Sequence, residues 1–549
     1  MIAVTLLSPL RKIRSLPRRV RDFLRGESAE SYFDLDNPRE VEPILAAHDA
    51  VEDDWRAASG DRVRRILELR PDLREVFPLG FTPHGRRDLL AWLLGCGRSE
   101  FGVSADECLR FLHEMDVRPD RGIVPHYLHN PEWQQAVPDA LTSHGWPKLV
   151  EYLKTKYGIR GRWLRRLRLP QSVSTKPIDP SAGVNVLGHF RYASGLQEAA
   201  FGITHGLTHA GVPMSLRDLP VIFPCDWTDR NRYDGLESYD TTIYVAAANT
   251  FPHEWYPKAG LHPRQGVRRI AVWYWELDDV PADWRPHLQW ADEVWAPTEF
   301  IAGAFRNAVN CPVITMLPGV ELPSFEPKPR SAFGLPENKF LFLFSFDMGS
   351  VMARKNPLAA IKAFRRAFRP DKPIHFAIKV SRGDSRPRDL ARLKEAAHAS
   401  GVQLIDRVLP RADVLALLNT ADCYVSAHRS EGLGLGLAES MLLAKPTIAT
   451  GYSGNLDFTT PETGYLIDHR LVEVEADPSE HNPYPAGARW AEPSVEHLAS
   501  LMRHVYENCE EAKEKGKRAK RHIEAIMSPA ALGKRMKQRL DDLRGARNA

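Results

Sequence analysis

The chain has 549 residues, enough for two to four domains with separate cores. Its 43% hydrophobic and 26% charged content excludes bulk disorder. A net charge of +4 over this length advertises no nucleic-acid partner, and none is expected.

Residues 1–30 form a basic tail. Seven Lys or Arg fall within residues 11–25, after a short apolar start. That order is the reverse of a secretory signal. No run approaches the ~18 apolar residues of a spanning helix. The expected location is the cytoplasm. A second basic stretch, residues 160–168, holds five Arg around Trp163. Both stretches suit peripheral contact with an anionic membrane on the inner face of the cell, or a solvated tail and linker. The six cysteines (Cys96, Cys108, Cys225, Cys311, Cys423 and Cys509) form no CxxC pair and read as isolated core thiols.

Residues 31–164 read as a helical accessory domain. Apolar positions recur at helical spacing around 63–69 and 89–94. Residues 165–182, with three prolines and several small polar residues, read as a linker. From 183 onward short apolar runs alternate with helical stretches, the pattern of parallel sheets covered on both faces. Strands are expected at 184–187, 241–247, 269–275 and 293–296. After a proline-rich hinge near 320–335 they resume at 340–346, 374–380, 403–405, 423–426 and 447–449. Helices are expected at 195–210, from 298, at 357–368, 412–420 and 439–443, and near the end at 529–543. The expected divisions are 183–325, 326–525 and a terminal helix in 526–549 that crosses back to the first sheet.

Residues 430–440, SEGLGLGLAES, carry the strongest chemical signal. They follow an apolar strand and lead into a helix, whose free N–H groups and dipole suit a diphosphate. Glu431 and Glu439, separated by seven residues, bracket the turn. Both can face one cleft and accept hydrogen bonds from sugar hydroxyls. The blander alternative is a glycine-rich turn with a Glu complementing the helix dipole. Residues 346–357, FDMGSVMARKNP, place Arg354 and Lys355 in another strand-to-helix loop. Adjacent basic groups there can neutralise a departing diphosphate.

With these motifs the region from about 183 to 545 resembles the family 4 retaining glycosyltransferases. The resemblance is carried by Glu431 and Glu439, by the Arg354-Lys355-Asn356-Pro357 loop, by ADEVWAPTEF at 291–300 and by GYSGN at 451–455. It implies α/β GT-B architecture: two Rossmann-like domains facing a cleft, here preceded by a mostly α-helical N-terminal domain. It implies that Glu439 binds the donor ribose, Glu431 the transferred sugar, and Arg354 and Lys355 the diphosphate. Amides near Gly434 and Leu435 complete the phosphate site, and Arg407 and Val408 lie over the nucleobase. It further implies same-face attack with retention, without a metal or other cofactor. The donor is a nucleotide sugar (GDP-mannose or a UDP-sugar) and the acceptor a glycan or lipid-linked sugar in cell-surface polysaccharide synthesis.

The first sheet departs from the family pattern. Ser194 and Gly195 stand where a Gly-Gly turn is common. Glu276 stands near the place of a frequent His, contacting donor sugar or acceptor hydroxyl. Trp273 and Trp275 are candidates for a sugar-stacking platform or for core. His189 is the best histidine candidate, ahead of His205, His209 and His253. Two other readings remain open: a sugar-nucleotide epimerase or phosphorylase of the same architecture, and a non-catalytic sugar-binding scaffold.

Overall fold

The run FLFLFSFD at 340–347 shows why this chain makes sheets. It is nearly all aromatic and aliphatic, so both faces of the strand must be covered. In the computed structural model of the protein it is a central strand of a parallel sheet. The structure describes residues 119–167, 179–219, 237–259, 266–475 and 483–548, with scattered positions between 63 and 115 and between 221 and 261. The basic tail, most of the expected linker, Cys96 and Cys225 lie outside the described residues.

In chain order the described elements begin with helices α1 (Asp120–His129), α2 (Pro131–Ala136) and α3 (Gly145–Tyr157). Then come β1 (Val184–Gly188), α4 (Gly195–His209), β2 (Met214–Asp218), β3 (Thr241–Ala247), α5 (Pro252–Ala259), β4 (Arg268–Tyr274), β5 (Glu293–Ala296), α6 (Glu299–Arg306) and β6 (Val313–Thr315). The pattern restarts with β7 (Phe340–Asp347), α7 (Met352–Lys355), α8 (Pro357–Ala367), β8 (Ile374–Ser381), α9 (Pro387–Ala399), β9 (Gln403–Asp406) and α10 (Arg411–Thr420). It ends with β10 (Cys423–Ser426), α11 (Leu435–Leu442), β11 (Thr447–Thr450), β12 (Tyr465–Ile467), β13 (His469–Glu473), β14 (Arg489–Pro493), α12 (Val495–Glu507), α13 (Cys509–Ile526) and α14 (Pro529–Asn548).

Strands β1 to β6 form one six-stranded sheet and β7 to β12 a second, the two-sheet α/β plan of GT-B proteins. Their described pairings are parallel. The chain divides into two compact units. One comprises Met1–Ala193, Ser215–Asp240 and Pro252–Val267, the other Ser194–Met214, Thr241–Phe251 and Arg268–Ala549.

In the first unit, α1 to α3 enclose Trp133, Trp146 and Leu149. The Trp133 indole N–H donates to the Tyr157 hydroxyl at 3.0 Å, and Asn130 caps α2 by accepting from the Trp133 amide. Strand β1 is buried throughout, and its Asn185 pairs with both backbone groups of Tyr239.

The second unit holds β3-β4-β5-β6 and the whole second sheet, ordered β12-β11-β10-β7-β8-β9. Strand β7 lies between β10 and β8 in a register that pairs Tyr424 with Leu343 and Phe346 with Val380. From β7 the chain continues to β8 on one side, and from β10 to β11 on the other. The loops after β7 and β10 therefore diverge and leave a crevice at their carboxyl ends, where open α/β sheets bind ligands. The last helix, α14, packs on α4. Gly206 and Gly533 allow this approach, because a Cβ on Gly533 would sit 2.2 Å from the Gly206 carbonyl oxygen. Arg535 donates to the Leu317 carbonyl at 2.6 Å, and Arg539 to Glu293 on β5 at 2.6 Å.

Candidate functional site

The crevice at the ends of β7 and β10 is a cavity of about 320 Å³ within the second unit. Arg354 and Lys355 enter it from the loop after β7, and Glu431 from the loop after β10. Asn356 ends α7 in a left-handed conformation (φ 53°, ψ 48°), which Asn tolerates better than most residues. Pro357 then opens α8 where a missing N–H costs nothing. This sharp corner sets Arg354 and Lys355 at the strand's carboxyl edge.

The three charges interlock. Arg354 Nη1 donates to Glu431 Oε2 at 3.0 Å and to the Ser430 carbonyl at 2.9 Å. Lys355 Nζ donates to Glu431 Oε1 at 2.5 Å. The Glu431 amide donates to Ser453 Oγ at 2.8 Å, and its carbonyl accepts from the Gly454 amide at 2.9 Å, so the GYSGN loop supports the turn. Burial alone would raise the Glu431 carboxyl. Lys355 and Arg354 outweigh it and hold the group down at about 2. Burial pulls Lys355 below the usual ammonium range, opposed by Glu431. For Arg354 burial works against the charge, and the Glu276 and Glu431 carboxylates more than restore it.

Beyond Glu431 the chain turns through Gly434, whose φ of +90° is a conformation L side chains rarely adopt. Helix α11 starts at Leu435, and its first turn lines the cavity with Gly434. Opposite, Ser194 and Gly195 line the wall at the start of α4. Ser194 caps that helix, its Oγ accepting from the Gln197 amide. Glu276, just past β4, also lines the cavity, with Oε1 3.7 Å from Arg354 Nη2.

Other expected residues sit elsewhere. Glu439 is buried one turn along α11 and faces Arg411, which also reaches Glu198 on α4 at 3.2 Å. Burial raises the Glu439 carboxyl despite Arg411. Arg407 donates its amide to the Val380 carbonyl, and Val408 is 71% exposed; neither lines the cavity. Trp273 is no stacking face, being fully buried against Trp290 and Phe305. Trp275 is likewise enclosed, by Trp284 and Tyr484. A sugar cannot stack on a ring whose faces are already packed. His189 lies in the first unit, buried, with Nδ1 2.8 Å from the Leu219 carbonyl and its ring edge-on to Trp255. Burial lowers its pKa. His205 pairs with Glu321 and His253 with Glu254, both at exposed positions.

Sequence reasoning missed Arg411, Tyr484 and His428. No motif marks the first two. His428 is fully buried three residues before Glu431, and burial lowers it to about 4, aided by Lys355 and Arg354 and opposed by Glu431. Its position inside the SAHRSEG run was the available signal.

The family match falls on the second sheet, which carries Arg354, Lys355 and Glu431. Residues 341–477 match the family of glycosyl transferases group 1. In sequence the chain is similar to the group 1 glycosyl transferases. A D-inositol 3-phosphate glycosyltransferase from Arthrobacter sp. (strain FB24) is 29% identical over 167 residues, 29% of this chain. The match spans 39% of that relative's length. Among solved structures, a sucrose-phosphate synthase from Thermosynechococcus elongatus is similar at 15% identity and a TM-score of 0.48. It covers 66% of this chain and 99% of its own. A glycosyltransferase from Rickettsia africae is similar at 14% identity and a TM-score of 0.46, covering 66% and 98%. Among the described residues no helix is long and apolar enough to cross a membrane.

Proposed function

We propose that the chain is a retaining glycosyltransferase that moves a sugar from a nucleoside diphosphate to a glycan or lipid-linked acceptor. One observation carries the reading: Arg354, Lys355, Glu431, Glu276 and the start of α11 converge on a single cavity. The diphosphate lies against the α11 N-terminus, with Arg354 and Lys355 beside it. When the bond from the anomeric carbon to the phosphate oxygen breaks, its electron pair stays on phosphate. The two cations and the helix N–H groups stabilise that developing charge. The acceptor hydroxyl attacks from the same face and passes its proton to the departing phosphate oxygen. No metal takes part in this scheme. Glu431 holds the transferred sugar, Glu276 orients sugar or acceptor, and Glu439 exchanges Arg411 for the ribose hydroxyls.

GDP-mannose and UDP-sugars both satisfy this chemistry. The name of the Arthrobacter relative adds an inositol phosphate to the acceptors worth testing. A role in cell-surface polysaccharide synthesis, in the cytoplasm with the basic stretches on an anionic membrane, belongs to the same proposal. The test is a panel of sugar nucleotides, read as melting shift and released nucleoside diphosphate. One donor is expected to raise the melting temperature and be consumed, since a ligand held only by the folded state stabilises it. A panel in which no donor binds or turns over contradicts the reading.

A further inference from the structure

The proposed chemistry leaves the β13–β14 pair unused, yet the residue that meets Glu276 lies just before β14. Tyr484, shortly before β14, is 6% exposed, and its hydroxyl donates to Glu276 Oε2 at 3.2 Å. Its ring packs on Trp275 and Trp490, with centroids 5.6 and 6.0 Å away. The Arg354 guanidinium carbon is 6.0 Å from the ring centroid. Trp275 is itself fixed by its indole N–H donating to the Asp279 carbonyl at 2.7 Å. The hairpin is tied to the segment after β7 as well. The Ala491 amide donates to the Arg429 carbonyl at 2.9 Å, and the Arg429 amide to the Arg354 carbonyl at 2.7 Å. The Arg429 guanidinium bridges Glu492 and the Ala353 carbonyl, each at 2.6 Å.

Tyr484 and Arg354 thus address different oxygens of one carboxylate, Oε2 and Oε1. One hydrogen bond from Tyr484 and one ion pair with Arg354, from two sides, restrain a carboxylate that is 26% exposed, and the hydrogen bond is the directional contact of the two. We propose that Tyr484 is a positioning residue for glycosyl transfer, holding Glu276 in the orientation that meets the reacting sugar or acceptor hydroxyl. This rests on the glycosyltransferase reading. Burial also keeps the Tyr484 hydroxyl protonated well beyond the usual phenol range, so it remains a donor at working pH.

The test is Tyr484→Phe, which keeps the ring between Trp275 and Trp490 and removes only the hydroxyl. With the donor the wild type consumes, kcat is expected to fall roughly 10-fold, the scale of one hydrogen bond to a charged group. Donor KM should stay within about twofold and the melting temperature within about 2 °C, because the ring packing is kept. In a Glu276→Gln background the same change should add little, since the two act as one unit. Wild-type kcat in Tyr484→Phe, a loss tracking a lowered melting temperature, or full additivity with Glu276→Gln each overturns the inference. A wild type inert to every donor overturns the glycosyltransferase reading with it, so the two failures are distinguishable.

Discussion

The carboxyl edges of the two sheets in the second unit handle charge in opposite ways. At the second sheet Arg354 and Glu431 are buried, at 4% and 8% exposure, and locked with Lys355 by contacts of 3.0 Å or less. At β4 of the first sheet Glu276 keeps 26% of its side chain exposed and sits 3.7 Å from Arg354. Under the proposed reaction the two edges divide the labour. A leaving diphosphate develops the same charge whatever the acceptor, so rigid, desolvated cations serve it well. An acceptor must be approached and oriented, which suits a partly exposed carboxylate held by one hydrogen bond and a longer ion pair.

That contrast can be broken by substitution, and Arg354→Ala should have the largest effect. It leaves Glu431 buried with one partner fewer, costing about 3 kcal/mol of stability. It should also lower kcat/KM by about 10³-fold, the scale of losing a charge-stabilising group. Thermal melts and steady-state kinetics read both. Turnover near wild type would remove the second-sheet edge from the mechanism. Glu439→Ala comes next: nucleoside diphosphate affinity, measured by calorimetry, should drop roughly 100-fold, the scale of losing two hydrogen bonds to a charged group. Unchanged affinity would assign Glu439 to its ion pair with Arg411 alone. Smaller again is Glu276→Gln, expected to lower kcat about 10-fold and leave nucleoside diphosphate affinity intact.

A change of pH leaves the cavity's residues in place, and it separates the ion cluster from its buried histidine. The folded Glu431 carboxyl, at about 2 against an ordinary 4.5, adds stability above pH 4.5 that is lost only as pH falls towards 2. His428 is depressed from 6.5 to about 4. The unfolded chain therefore takes up this proton first, and stability falls between pH 6.5 and 4, by up to about 3 kcal/mol. His189 and His375 are lowered by burial and act with the same sign. His428→Gln should reduce the fall between pH 6.5 and 4 in denaturant titrations and leave the fall below 4.5, to which Glu431 contributes, unchanged. An unchanged slope would contradict the buried neutral state of His428.

Legibility in the sequence also differed between the sheets. Strands such as β7, β8, β10 and β11 were readable because residues buried on both faces form unbroken apolar runs. The run MSLRD of β2, half-exposed at its start, lacks that signal, as do the three-residue β6 and the exposed β13. Helices α9, α12 and α13 were passed over, because their charged faces dominate the composition. At the site, Glu431, Arg354 and Lys355 were legible as a motif because glycine, helix start and charge are local in sequence. Tyr484 was not, because it meets Glu276 across 208 positions. The dual nature of Trp273 resolved into core because Trp290 and Phe305, remote in sequence, close over it.

Hydrogen exchange with and without UDP or GDP at millimolar concentration reads whether a nucleotide sits in the crevice at the ends of β7 and β10. The nucleotide that binds is expected to slow exchange in both residues 348–356 and residues 430–437, the segments that flank the crevice at the ends of β7 and β10. Binding that leaves both segments unprotected, or no binding by either nucleotide, would contradict a nucleotide site there.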